Sequence, residues 1–299
     1  MLRWFGGLTL ARKQAVWAWT FLTLPLAYFT LVRFWPAFDA FALSLSRWNL
    51  VGPRRYVGLA NYERMATDLV FWQVLGNTFE YLLLGLPVSL LLAFLVAFHL
   101  DRMNFGQGLL RALYFLPHLT TATAMAWVWR WFYQPPPVGL LNAWLGALGF
   151  SVQPFLRSTT QALPAVLVPA IWAALGFQFV IFMAGLKAIP RSYYEAAEID
   201  GAGGWQILRE ITLPLLAPSM VFLLITTSIG LLRIFDLVYN MSAGGEGGPL
   251  NATKPLVLSI YQSAFARMDM GYASAQTVVL FVILLALSLL QMRLLRGRR

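Results

Sequence analysis

Apolar runs of about twenty residues recur along this chain, each closed by a short polar or glycine- and proline-rich stretch. As helices, runs of that length match the hydrocarbon thickness of a bilayer. The pattern predicts six of them, at about 14–35, 78–99, 112–132, 162–186, 220–240 and 273–292. A polar connection fills 36–74, a short link 101–111, another connection 134–160, and a charged loop 190–218. The expected fold is therefore all-α and integral to a membrane: six transmembrane helices, with a helix-turn-helix outside the membrane between the fourth and fifth. Residues 1–13 form an N-terminal tail, 14–292 the six-span domain and 293–299 a basic tail.

Particular residues refine the spans. The first run follows Arg3, Arg12 and Lys13, as a secretion signal would. It is too long for one and no small-residue cleavage site follows, so it reads as a span. Pro117 inside the third run predicts a kink. Pro135-Pro136-Pro137 stops that helix, and 139–150 reads as a short amphipathic segment on the membrane surface. Asn77 and Glu80 sit at the outer end of the second run. In the fifth, Gly230 and Thr226-Thr227-Ser228 suit close approach of another helix. Arg233 and Asp236, three apart, share a helix face and are expected to pair. Gly244-Gly245-Glu246-Gly247-Gly248-Pro249 reads as a flexible loop tip.

The charged loop carries the densest local signal. Ser192 followed by Glu195 forms a capping box, which predicts a helix over about Tyr193 to Asp200. Gly201, Gly203 and Gly204 then permit a sharp turn. A second short helix, about Trp205 to Ile211, should turn Trp205, Leu208 and Ile211 to one side. Pro214 and Pro218 mark entry into the fifth span.

Composition narrows the function classes. The chain is 59% hydrophobic and 11% charged, against about 25% charged in a soluble domain. Its net charge of +10 belongs to span ends and is no nucleic-acid signal. Bases cluster at Arg3, Arg12, Lys13, Arg102, Arg111, Lys187, Arg191, Arg209, Arg293, Arg296, Arg298 and Arg299, against Arg47, Arg54, Arg55 and Arg64 on the other side. Positive-inside then places both termini and the charged loop in the cytoplasm. With no cysteine and only two histidines, His99 and His118, neither a metal cluster nor a nucleophile–base pair is expected, which argues against a membrane-embedded enzyme. GAGG at 201–204 lacks the lysine and preceding strand of a nucleotide loop, so the chain itself should bind no nucleotide.

Glu195-Ala196-Ala197, three residues, Gly201, nine residues, Ile211, one residue and Leu213-Pro214 resembles the EAA signature of binding-protein-dependent ABC importer permeases. The resemblance implies that Glu195, Ala196, Ala197, Asp200, Gly201, Ala202, Ile211, Leu213 and Pro214 form a coupling helix docking in a cytoplasmic ATPase. It implies four kinds of partner: a second permease subunit, making a heterodimer; two ABC ATPase domains; an extracytoplasmic substrate-binding protein; and the lipid bilayer of a bacterial or archaeal inner membrane. It also implies that no cofactor is bound by this chain and that ATP and Mg are used by the partner ATPase. Trp48-Asn49 with Tyr56-Val57-Gly58-Leu59-Ala60-Asn61-Tyr62, and later Tyr261, Ala264-Phe265 and Met270 to Ala275, are similar to the sugar permeases of this family, the first subunit of maltose, trehalose and glycerol-3-phosphate importers.

That resemblance implies a sugar, an α-glucoside such as trehalose or maltose, moved by alternating access, with glycerol-3-phosphate or a polyamine as alternatives. Matching to the maltose type carries substrate contacts onto His118 and Thr227. Thr121, Gln178, Arg233, Asp236 and Tyr239 join them as pathway candidates, since a sugar site needs hydroxyl-bonding groups and an aromatic platform. The fifth-span polar positions of maltose relatives fall partly on Leu231 and Ile234 here. Structural roles compete with these: His118 bonded to a carbonyl freed near Pro117, and Arg233 with Asp236 as an internal ion pair.

Overall fold

The computed structural model describes residues 9–103 and 105–296; the outermost parts of both predicted basic ends, 1–8 and 297–299, lie outside the described residues. Helix α1 spans Leu10–Ser44 with a π turn at Thr30–Phe34. A two-stranded antiparallel ribbon follows, β1 Ser46–Arg47 against β2 Arg55–Tyr56. Then come α2 Ala60–Thr67, α3 Leu69–Asp101, α4 Gln107–Leu119, α5 Ala122–Phe132, α6 Leu140–Ala147 and α7 Ala162–Lys187. The charged loop supplies α8 Arg191–Ile199 and α9 Gly204–Leu215. Next are α10 Ala217–Leu232, α11 Asp236–Met241, α12 Leu256–Ala266 and α13 Met270–Arg296.

Among the described residues four helices are long and apolar enough to cross a membrane: α1, α3, α7 and α13. A fifth is reached if α9 and α10, bent by 66° at Leu216, count as one span. The predicted third span is not one helix. It breaks at Thr120, where Thr120 and Thr121 turn extended and Thr121 caps α5 by accepting from the Ala124 amide at 3.3 Å. Pro117 accounts for the weakness, since it withdraws a backbone donor; the break falls three residues later, where a threonine can restart the helix. The predicted fifth span also divides, at 233–235, between α10 and α11.

Helix α7 organises the bundle by letting neighbours approach at small residues. At Gly176 a Cβ would lie 2.9 Å from His118 Cβ and 3.1 Å from the Tyr114 carbonyl, so α4 sits directly on α7. At Gly185 a Cβ would lie 2.5 Å from Ser219 Oγ and 2.6 Å from Leu216 Cδ1, which locks α7 to the start of α10. On α3, Gly85 admits Leu167 and Leu231 in the same way. Gly230, expected at such a contact, has nothing within 4 Å of its Cβ position and faces a cavity instead. The core then forms in two layers along α3 and α7. One gathers Tyr81, Met125, Val166, Leu231, Val238 and Leu258; the other gathers Ala93, Leu100, Phe179, Phe182, Leu216 and Leu223. A third cluster joins Phe71, Val74, Leu256 and Tyr272, at the start of α3.

Connections segregate to two ends. Residues 45–68, 133–161 and 242–269 lie at one; 102–103, 105–106 and 188–216 lie at the other. The first end is tightly bonded. Asp68 starts α3 by accepting from the Val70 and Phe71 amides, and its other oxygen accepts from the Tyr272 hydroxyl at 2.7 Å. Asn77 donates to the carbonyls of Asn251 and Lys254, and Tyr81 to that of Thr253. The predicted flexible tip at 244–249 is accordingly packed: Gly245 and Gly247 are buried, and the Gly247 amide donates to Ser242 Oγ at 3.0 Å. Positive φ at Gly244, Gly245, Gly247 and Gly248 shows why glycines stand here; they shape a fixed loop. The segment 139–150 forms α6, pinned because Asn142 is buried and donates to the carbonyls of Gln134 and Gln153.

Candidate functional site

The charged loop is a bent arm. Helix α8 starts one residue before Ser192, with Pro190 at its N-cap and no side-chain cap, so the expected capping box does not form. Its C-terminus is better made. The Ala202 amide donates to Ala197 O at 2.9 Å and the Gly201 amide to Glu198 O at 3.1 Å, the paired bonds of a Schellman cap. Gly201 occupies the left-handed position at φ +76. Beyond it, α9 contains a π turn at Leu208–Thr212. That turn changes the facing of the side chains: Trp205 is 73% exposed while Leu208 and Ile211 are half-buried, so the three do not share one face. Tyr194 and Thr212 hydroxyls meet at 3.4 Å and tie the two arms. Ala197 turns inward; Glu195, Ala196, Asp200 and Pro214 are exposed, with Ala202 and Leu213 between. Tyr193, Ile199 (87%) and Trp205 present apolar surface beside them.

A cavity of about 460 Å³ opens in the middle of the bundle, where α4 gives way to α5 and α10 gives way to α11. Its wall includes His118, Thr120, Phe177, Gln178, Thr227, Arg233 and Asp236. Two broken helices explain its polarity: a break leaves backbone groups that must face a cavity or protein, never lipid. His118 Nδ1 lies 3.1 Å from the Ala173 carbonyl on α7, not from a carbonyl near Pro117, and its ring stacks on Phe177. Gln178 is buried and bonded at both ends of its amide: Ser89 Oγ donates to its Oε1 at 2.6 Å, and its Nε2 donates to Thr227 Oγ1 at 3.0 Å. One side chain thus links α3, α7 and α10.

The family model described as "Binding-protein-dependent transport system inner membrane component" matches residues 71–299. The chain belongs to that family. It is 35% identical to the sn-glycerol-3-phosphate transport system permease protein UgpA of Agrobacterium fabrum strain C58, over 89% of each chain. It is 31% identical to the lactose transport system permease protein LacF of Rhizobium radiobacter, over 97% of this chain and 98% of that one. A crystal structure of a bacterial ABC transporter importing the acidic polysaccharide alginate shares the fold, at TM-score 0.83 and 20% identity over 96% of this chain and 97% of that chain.

Of the pathway candidates in this permease, five line the cavity: His118, Gln178, Thr227, Arg233 and Asp236. Thr121 does not, because its hydroxyl caps α5. Tyr239 does not either; it lines a separate cavity at the far end of α11. Arg233 and Asp236 are not paired: the ion pairs among the described residues are Arg54–Asp39 and Arg64–Asp269. The helix ends between them, so their three-residue spacing no longer puts them on one face. Replacing either, as Arg233→Ala or Asp236→Asn, should therefore change stability by less than about 0.5 kcal/mol, read as the unfolding midpoint in detergent. A loss several times larger would restore the ion-pair reading. Sequence reasoning missed Ser89, Thr120 and Phe177. A serine and a phenylalanine within apolar runs give no signal until the partners across the bundle are known.

Proposed function

We propose that this chain is one permease half of an ATP-driven importer that moves a saccharide or sugar-like solute by alternating access. One observation carries the reading: the exposed arm and the cavity share the same two helices. Helix α7 runs into α8, and α9 runs into α10. Gly185 locks α7 onto Leu216 and Ser219 at the arm, while Gln178 and Thr227 join the same helices at the cavity. A push on α8 and α9 is thus delivered to the cavity wall as a rigid-body motion.

In this reading the spans number six, with α4–α5 and α10–α11 each forming one broken pass. The distribution of bases supports both termini and the arm lying in the cytoplasm of an inner-membrane protein. Two ATPase domains, using ATP and Mg, dock against Glu195, Ala196, Gly201 and the exposed Tyr193, Ile199 and Trp205, while the buried Ala197 holds α8 against the rest of the chain. An extracytoplasmic binding protein delivers the solute. The second permease covers α1, of which no residue from Leu10 to Phe29 is buried; this and the openness of the central cavity support a heterodimer. The sugar-permease features around Tyr56–Tyr62 support an α-glucoside such as trehalose or maltose as the narrowest form of the reading. Glycerol-3-phosphate is the second, favoured by Arg233, a cation on the cavity wall without an ion-pair partner among the described residues. The test is ATP hydrolysis by the reconstituted complex with its binding protein and a panel of solutes. Stimulation by a saccharide supports the proposal; stimulation by amino acids or polyamines alone would overturn it.

A further inference from the structure

At the outer end, the loop after α11 and the residues of α12 enclose a second cavity of about 540 Å³. Lys254, Arg267 and Glu246 stand on its wall with Tyr239, Tyr261 and Phe265. Lys254 is half-buried, and its ammonium has neither a hydrogen bond nor an ion pair among the described residues. Burial first, and then the Arg267 cation, push that ammonium below its ordinary range; Glu246 offsets part of this. Two cations held toward one cavity repel each other, and an anion between them would relieve that repulsion. Arg267 commits one nitrogen to Ser263 Oγ at 2.7 Å, leaving most of its donor fork open. Of the neighbouring carboxylates, Asp269 pairs with Arg64 at 2.6 Å and Asp68 caps α3, which leaves Glu246, among the described residues, as the one acidic group on the cavity wall facing the two cations.

A second feature points the same way. Phe235, on the wall of the central cavity, stacks on Tyr239 at 5.5 Å and 18°. Tyr261 lies 5.3 Å from Phe235 and 5.8 Å from Tyr239, and Phe265 lies 5.3 Å from Tyr261. An unbroken row of rings therefore joins the outer cavity to the central one. Aromatic faces with polar groups beside them accept amphipathic ligands, and the C–H faces of sugar rings are of that kind.

We propose that the outer cavity is an entry subsite for an acidic saccharide, with Lys254 and Arg267 taking its carboxylate, phosphate or sulfate group and the aromatic row receiving its sugar rings. The assignment rests on the importer reading above, and within it selects an acidic saccharide over the neutral α-glucosides. The continuity of the rings with the central cavity favours a solute over an acidic side chain of the binding protein.

The test uses the complete reconstituted importer with its binding protein. Matched acidic and neutral saccharides are supplied, such as cellobiouronate with cellobiose and glucose-6-phosphate with glucose. Lys254→Gln and Arg267→Gln should each raise the KM of the acidic member about tenfold relative to its neutral counterpart, and Lys254→Arg should restore the ratio. An unchanged ratio, or a wild-type importer driven only by neutral members, would overturn the subsite while leaving the importer intact. Weaker docking of a binding protein loaded with a neutral saccharide would assign the cations to a protein carboxylate, again overturning it. If no saccharide drives the wild type, the importer reading itself fails and takes the subsite with it.

Discussion

Gly201→Asp is expected to give a complex that assembles in the membrane but no longer couples ATP hydrolysis to transport. No atom lies within 4 Å of the Cβ position, so the new side chain meets open space and the fold of the bundle is untouched. The cost is local. Gly201 holds φ +76 at the end of α8, and a residue with a Cβ loses about 1–2 kcal/mol in that conformation. The cheapest relief is to unwind the Schellman cap, which moves α8 relative to α9. The added carboxylate also stands at the negative end of the helix dipole, which disfavours it further. Solute-stimulated ATP hydrolysis and uptake should fall at least tenfold, while co-purification of this chain with its second permease is unchanged. Normal transport by the variant would remove the docking role from the arm.

The other large effect is expected at Gln178. Gln178→Leu deprives the buried Ser89 hydroxyl and the half-buried Thr227 hydroxyl of a partner at the edge of the central cavity. A polar group left unpaired there costs about 1–3 kcal/mol, lessened if the hydroxyls bond back to their own helices. The unfolding midpoint of the complex should drop accordingly. The pairwise nature of the link gives a sharper check. Adding Ser89→Ala to Gln178→Leu removes an orphaned hydroxyl, so the double variant should be less destabilised than the two single effects added together. Strict additivity would mean that the Ser89–Gln178 bond contributes nothing. Transport should suffer beyond the stability loss, because the same side chain joins the arm-bearing helices at the cavity.

How much of this was legible in the sequence depended on whether a signal was local. The arm was readable because spacing, glycines and prolines act within a few residues of one another. Its start was misplaced: Pro190 sets the first turn of α8 and leaves Ser192 inside the helix, so the capping box was a plausible pattern with no structural partner. Pro117 correctly announced a weak point, but where the helix restarts is decided by Thr121 and by how α4 seats on Gly176, a contact across the bundle. The Arg233–Asp236 spacing failed for the complementary reason, since a three-residue rule assumes a continuous helix. Cavity residues were found when they were conspicuous, as with His118 and Gln178. Ser89 escaped because its partner Gln178 lies 89 residues away in the chain, and Lys254 and Arg267 because their meaning comes from the cavity that the folded loop and α12 form together. The fully uncovered face of α1 was likewise invisible, because an apolar run looks the same whether protein or lipid covers it.

The central claim is that residues 190–218 are where an ATPase grips this chain. The protein contains no cysteine, so a single thiol introduced as Ile199→Cys, at a side chain 87% exposed on the arm, reports without background. In membranes co-expressing the whole importer, that thiol should crosslink to the ATPase subunit with a short bifunctional reagent, and the yield should change when ATP is added. It should resist membrane-impermeant maleimide applied from outside intact cells. Labelling from outside, or crosslinking only to other membrane subunits whatever the nucleotide, would contradict the account.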